Sequence, residues 1–348
     1  METTAEFDAY LGGIVSSCFT TLAIALGRET GLIDFLCAAD SPLTIEQISE
    51  GTRLKERYVQ EWLGAMVSAR LVQLDVESNK FYVQPNHRQP LRVRGAFAQG
   101  IGPWCKRFDL VKSCFQKDGP PGFEYSEEPS WFDWFDSYRS VTCDHVVEQE
   151  IIPFLGSTLQ EKLESGIRVV DIGSGTGNYT IALAKMFPKS TFVGVEYAEV
   201  GVHKAEERAK EKGLQNVTFQ KGDAHNLPDS WTEMFDWVFI YDVLHDIADP
   251  HKAIREVRRI MKHDGVFSLV EIGVHSDLSY NVGDKTAAMY YAASMFVCLP
   301  SSLSLEPHKG YGACWGMEAC EKAVVEGGLK VVNKTKIAGT KILFVCAK

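Results

Sequence analysis

Apolar and polar positions change period repeatedly along the second half of the chain. The segments IRVVDI (167–172), TFVGVE (191–196), NVTFQKG (216–222), FDWVFIYDV (235–243) and GVFSLVEIG (265–273) are short apolar runs, and stretches with helical spacing begin near Asn178, Val200 and Pro250. Short apolar strands alternating with helices predict a buried parallel sheet with helices on both faces. KVVNKTKI and TKILFVC are parted only by a turn at Gly339, so the sheet is expected to end in an antiparallel hairpin.

The first half reads differently. In TIEQ, Thr44 and Gln47 form a capping box that opens a short helix to about Glu50. After Gly51-Thr52, the residues Leu54, Tyr58, Val59, Trp62, Leu63, Met66 and Val67 mark one apolar face of a second helix. LVQLDV and FYVQ, joined by ESNK, predict a hairpin, and helix, turn, helix, hairpin is a winged-helix pattern. Ahead of it, the apolar run at residues 13–27 carries Ser16, Ser17, Thr20 and Thr21, reads as too short and too polar for a membrane span, and is expected to form a buried helix at a subunit interface. Residues 85–150 are the least regular: Pro120-Pro121-Gly122 marks a loop, and WFDWFDSY sets Trp131, Phe132, Trp134, Phe135 and Tyr138 at helical spacing, as core packing or as an aromatic lid.

Composition narrows the function classes. The chain has 348 residues, enough for two domains, with 45% hydrophobic and 24% charged residues, as in ordinary soluble globular proteins. Its formal net charge of -10 disfavours general attraction to nucleic acid or anionic lipid. Residues 1–150 hold 14 Lys plus Arg against 22 Asp plus Glu, and Lys55, Arg57 and Arg70 on the would-be recognition helix are offset by Glu56 and Glu61, so the winged helix lacks the basic face that DNA requires. The nine cysteines are scattered without a C-x-x-C pair, and the acidic N-terminus has no basic leader region; both fit reduced thiols in the cytoplasm and no membrane partner.

The candidate chemistry centres on VVDIGSGTG, residues 169–177. A strand runs into glycines at every second position and then into a helix, a geometry that brings backbone N–H groups close to a ligand. Dinucleotide enzymes need a third small residue at the position held here by Asn178. Glu196, at the end of the second strand, can accept both hydroxyls of a ribose; Asp223, after the third, can read an adenine edge; Asp171 can order the turn and a ligand's ammonium end. All lie at carboxyl ends of strands, where such sheets bind ligands.

With DIGSGTG, Glu196, Asp223 and the terminal hairpin, residues 160–348 resemble a class I S-adenosylmethionine-dependent methyltransferase, and the winged helix in front resembles that of small-molecule O-methyltransferases. The resemblance implies an α/β fold: a Rossmann-like seven-stranded methyltransferase sheet with a terminal antiparallel hairpin, preceded by a mainly helical winged-helix domain. It divides the chain into a winged-helix and dimerisation-like domain (1–110), a helical linker and lid (111–160) and the methyltransferase domain (161–348). It also implies S-adenosyl-L-methionine as cofactor, held by Asp171, Gly173, Gly175, Gly177, Glu196, Asp223, Ala224 and Asp242, with a small-molecule acceptor and a homodimer as partners.

A hydroxyl acceptor needs a base. His245 and Asp246 match the H-D that follows this strand in plant-type O-methyltransferases, where the histidine is the base; Asp246 and Asp249 are candidates to orient it, although helix capping is the simpler job for Asp249. His275 and His308 are weaker candidates. YDVL stands where amide and adenine methylases carry N-P-P-Y, and Asp242, Asp246 and Asp249 lack the spacing of metal-dependent catechol enzymes, so no metal is expected. A thiol acceptor, already partly ionised at neutral pH, stays open. The segment 275–307 would shape the pocket, with Met289, Tyr290, Met295 and Phe296 as wall or core; it resembles an uncharacterised branch of winged-helix methyltransferases more than the plant enzymes. The alternative to an enzyme is a cofactor-binding regulator that acts through the winged helix.

Overall fold

The computed structural model describes residues 3–128, 130–337 and 339–348, apart from the side chain of Ser126. It divides into two compact units, Met1–Cys105 with Asp133–Val141, and Lys106–Phe132 with Thr142–Lys348, so the segment 111–160 is shared between them.

In the first unit the capping box closes as expected: Thr44 N–H donates to Gln47 Oε1 at 2.9 Å and Gln47 N–H to Thr44 Oγ1 at 3.2 Å, starting the helix Ile45–Thr52. The helix Glu56–Ser68 follows and buries Val59, Trp62, Leu63 and Met66, but Tyr58 is 75% exposed and does not belong to that face. Strands β1 (Gln73–Asp75) and β2 (Lys80–Tyr82) pair antiparallel and complete the wing. Within the same unit Trp134 donates to the Ala96 carbonyl at 2.9 Å and packs edge-on against Phe97 and Trp104, which is core packing.

The first helix corrects two expectations. It runs from Thr4 to Glu29 over 26 residues, and Phe7, Tyr10, Leu11, Ile14, Val15, Phe19, Leu22 and Leu26 are exposed, so within this chain it is not a buried helix. By length and composition it is also long and apolar enough to cross a membrane. The small polar residues do not prevent this, because Ser17, Thr20 and Thr21 donate to carbonyls four residues earlier and satisfy themselves.

The second unit holds a seven-stranded sheet. Its strands are β3 (Arg168–Ile172), β4 (Thr191–Glu196), β5 (Val217–Lys221), β6 (Phe235–Tyr241), β7 (Met261–Ile272), β8 (Lys330–Ile337) and β9 (Lys341–Ala347), in the order β5-β4-β3-β6-β7-β9-β8. β5 to β7 pair in parallel, while β9 runs antiparallel to both β7 and β8, the expected terminal hairpin. Period-two alternation sends Val169, Trp237, Phe239 and Tyr241 to one face, under the helices Asn178–Met186 and Glu199–Glu211. Val170, Ile172, Val238 and Ile240 go to the other, under Pro250–Ile260 and Met317–Glu326. The helix Pro250–Ile260 starts where it does because Asp249 accepts from Lys252 N–H and Pro250 presets its first turn. Its buried Ile254, Val257 and Ile260 each contribute about 1.5–3 kcal/mol by leaving water. The nine cysteines are all free; Cys37, Cys143, Cys314, Cys320 and Cys346 are buried, while Cys18 and Cys105 are exposed.

Candidate active site

The glycine turn leaves β3 and enters the helix Asn178–Met186 with Gly173, Gly175 and Gly177 all at positive φ. Two of the three are dictated by packing: a Cβ would lie 2.4 Å from Val243 Cγ1 at Gly173, and 2.7 Å from the Phe219 ring at Gly177. Gly175 differs, since a Cβ there would meet nothing within 4 Å, so its surface faces open space. Glu196 binds the turn from β4: Oε2 accepts Gly175 N–H and Oε1 accepts Ala198 N–H, both at 2.9 Å. With Tyr197 N–H as a third backbone donor, the carboxylate's roughly four acceptor sites still leave room for a ligand hydroxyl.

Asp171 lies beneath this turn, 3% exposed, and accepts from Thr180 Oγ1 at 2.6 Å. Burial, opposed by the Thr180 bond and helped by nearby Glu196, pushes its carboxyl up to about 7. Burial likewise raises Glu196 against the pull of its backbone bonds. Asp223 is about half exposed and accepts from His225 N–H at 2.9 Å, and Ala224 packs against the second face's core. Asp242, predicted beside the cofactor, holds a positive φ, and its carboxylate pairs with the buried Lys341 of β9.

His245 is 2% exposed in a short turn after β6. Its Nδ1 lies 2.5 Å from Oε2 of the fully buried Glu271, at the end of β7, and its Nε2 lies 3.4 Å from Asp246 Oδ1. Burial alone would lower the imidazole, but the Glu271 and Asp246 carboxylates outweigh it and hold His245 well above 6.5. The Tyr125 hydroxyl donates to Asp246 Oδ2. Burial and then the Asp246 charge push that phenol well above 10, so it remains a donor. Burial raises Asp246 too, against the pull of the His245 charge and of the Tyr125 hydrogen bond. Cys298 completes the cluster; burial, with Asp246 next, pushes its thiol up to about 12.

Arg107 fixes the loop that carries Tyr125. It is 1% exposed, donates to the Tyr125 and Phe296 carbonyls at 3.0 and 3.3 Å, and sits 4.8 Å from the Trp131 ring centre and 5.5 Å from that of Phe123.

The remaining candidates part company with the site. Asp249 caps a helix and pairs with Lys309 at 2.6 Å, so it does not orient His245; Glu271 does. His275 Nδ1 contacts Glu318 at 2.6 Å and His308 Nδ1 the Leu303 carbonyl at 2.7 Å. On the helix Lys285–Phe296, Tyr290 reaches Thr340 at 2.9 Å and lies 5.4 Å from Lys341 Nζ, Phe296 packs near Phe108, and Met289 and Met295 are exposed. Glu271 could have been found as a carboxylate inside the apolar run SLVEIG; Lys341 likewise begins an apolar strand. Tyr125 and Cys298 carry no comparable signal.

Sheet order, glycine turn and winged helix together decide the architecture. The chain has the class I S-adenosylmethionine-dependent methyltransferase fold. Residues 163–323 match the profile of a methyltransferase domain, and residues 18–93 that of the Rv2258c-like winged HTH domain. The structure of the mitomycin 7-O-methyltransferase MmcR superposes with a TM-score of 0.71 at 17% identity, covering 99% of this chain and 98% of that one. Human N-acetylserotonin methyltransferase in complex with SAM gives 0.69 at 16%, covering 100% and 98%. Among curated sequences, the uncharacterized methyltransferase YcgJ of Bacillus subtilis is 38% identical over 104 residues, 30% of this chain and 40% of that protein. The chain spans about half the length, or less, of the curated relatives it matches. The architecture thus agrees with the resemblance in strand order, hairpin and winged helix.

Proposed function

We propose that the chain is an enzyme that transfers the methyl group of S-adenosylmethionine to a hydroxyl of a small molecule, with His245 as general base. The observation that carries this reading is the buried His245–Glu271 pair, 2.5 Å between Nδ1 and Oε2, next to the glycine turn through Val243. A hydroxyl is a poor nucleophile while protonated and needs such a base, whereas a thiol does not. The turn fits the cofactor: the open side of Gly175, the remaining acceptor capacity of Glu196 and the buried Asp171 form a small, carboxylate-rich cradle for a cationic ligand bearing ribose hydroxyls. Asp223 with Ala224 would take the adenine. Asp242, bound to Lys341, would serve the site as a fixed ion pair.

When bound, S-adenosylmethionine supplies a methyl group on a positively charged sulfur. The chain's residues do the rest. Glu271 fixes the ring so that a neutral His245 keeps its proton on Nδ1 and presents the Nε2 lone pair. Tyr125 and Asp246 hold the neighbouring wall by their hydrogen bond. A cation lodged nearby favours the neutral ring, which brings the base into its competent form in the loaded enzyme. Positioning and exclusion of water then provide much of the rate.

The exposed apolar face of Thr4–Glu29 supports a homodimer in which a second copy covers that face. On the helix Glu56–Ser68, Arg57 is paired with Glu61, which supports an assembly role over DNA binding. Free cysteines support a reducing, cytoplasmic setting. The test is a screen of hydroxyl and thiol acceptors with labelled S-adenosylmethionine, after calorimetric titration of that cofactor. Label on a hydroxyl, lost in His245→Gln while cofactor binding persists, is the expected result. Tight binding without transfer to any acceptor would favour the regulator instead, and absence of binding would end the proposal.

A further inference from the structure

The same cluster sets the base, His245, beside two further donors, Asp246 and Cys298, that the proton transfer itself does not use. One ligand atom each from His245, Asp246 and Cys298 lie within 4.8 Å of one another, and His245 Nε2 is 3.4 Å from Asp246 Oδ1. Glu271 binds Nδ1, which leaves Nε2 as the ring's free donor toward this point. Tyr125 occupies Asp246 Oδ2, and the buried Oδ1 accepts no hydrogen bond among the described residues. We propose that His245, Asp246 and Cys298 form a three-ligand zinc site, and that zinc bound there withholds His245 from methyl transfer.

The chemistry selects the ion. Nitrogen, carboxylate oxygen and thiolate sulfur together suit zinc, while calcium and magnesium want oxygen alone. Zinc–ligand bonds of about 2.0–2.3 Å at a tetrahedral centre separate neighbouring ligand atoms by about 3.3–3.8 Å. The 3.4 Å between Nε2 and Asp246 Oδ1 already meets that spacing. Glu271 behind the imidazole and Tyr125 behind the carboxylate are the outer partners that orient metal ligands. Binding replaces the Cys298 S–H bond by a zinc–sulfur bond and releases that proton, and any proton on Nε2, to solvent. The fourth position is left to water or acceptor. A coordinated Nε2 has no lone pair for a hydroxyl proton, so zinc and base catalysis compete. That competition rests on the reading of His245 as base; zinc binding does not.

The test uses the full chain, stripped with chelator and titrated with cobalt(II) as optical probe and then with zinc. One equivalent of cobalt is expected to give four-coordinate ligand-field bands and a near-ultraviolet sulfur-to-cobalt charge-transfer band, both erased by zinc. Cys298→Ser is expected to lose the charge-transfer band and weaken zinc binding by at least ~100-fold, the upper end of what outer-partner changes alone cost. Asp246→Asn should weaken binding but keep the band, and Cys18→Ser, at an exposed thiol, should change neither. Retained S-adenosylmethionine binding, where the parent shows it, reports that the variants are folded. No stoichiometric spectrum, or a charge-transfer band that survives Cys298→Ser, would overturn the site. Zinc that binds yet leaves hydroxyl methylation unchanged would overturn the competition. A chain that binds zinc but methylates nothing would sustain the site while favouring the regulator over the proposed enzyme.

Discussion

Asp171→Asn separates the electrostatic cost of the cofactor cradle from its packing. The Asp171 carboxyl is raised from 3.8 to about 7 by burial. The folded chain therefore holds this proton more tightly than the unfolded one. Stability from the neutral carboxyl is complete below about pH 4 and is lost as pH rises through about 7. At about 1.36 kcal/mol per pH unit, roughly two units of that loss fall between pH 5 and pH 8, or about 3 kcal/mol. Asparagine can still accept from Thr180, and an amide left without an acceptor costs about 1–3 kcal/mol, but that cost does not vary with pH. The stability of Asp171→Asn relative to the parent is therefore expected to improve by about 3 kcal/mol from pH 5 to pH 8. For a unit of this size that amounts to about 6–12 °C in relative Tm. The assay is calorimetric or fluorescence-monitored unfolding of both proteins across that range, without cofactor. A constant offset between the two curves would refute the buried, proton-holding Asp171. In the same reasoning the cationic cofactor favours the ionised carboxylate, so S-adenosylmethionine affinity of the parent rises with pH through about 7 and that of the variant does not.

Other expectations are direct. His245→Gln should lower hydroxyl methylation by about 10²–10⁴-fold with cofactor affinity unchanged in calorimetry, and loss of both together would contradict the base assignment. In the parent, kcat/KM for a hydroxyl acceptor should rise with pH through a value above 6.5, because Glu271 and Asp246 stabilise the imidazolium; Glu271→Gln should move that inflection down, and an unmoved inflection would remove Glu271 from the role. Glu196→Gln gives up an acceptor for Gly175 or Ala198 N–H, at about 1–3 kcal/mol, and should weaken cofactor binding; parental affinity would count against the cradle. Phe19→Asp, on the exposed face of the first helix, should convert a dimer to a monomer in light scattering, and a parent that is itself monomeric would end the homodimer proposal.

The glycine turn, the hairpin and the wing were legible because each is a local pattern: strand ends, turn residues and capping boxes act over a few positions. The cluster around His245 was only half legible. Glu271 stands 26 residues from His245, Tyr125 stands 121 residues from Asp246 and Lys341 stands 99 from Asp242, and only the fold brings them together. In sequence, Asp249 is a second candidate to orient His245, but proximity along the chain says nothing of direction, and its carboxylate turns to the helix start instead. The apolar first helix reads as buried in sequence for a related reason. Hydrophobicity records that a face avoids water, not whether the same chain covers it.

Arg107, set among Phe123, Tyr125 and Trp131, has a consequence for how such a protein could change over time. One guanidinium anchors a segment whose Tyr125 reaches Asp246, while His245 and Glu271 come from the ends of neighbouring strands. Residues 115–118, exposed between the helix Phe108–Cys114 and the buried Phe123, can be exchanged or lengthened with little effect on the sheet, because loops tolerate such drift better than strands do. Lineages descended from one ancestor could thus reshape the approach to Tyr125 by rewriting this short stretch, and keep the His245–Glu271 pair throughout.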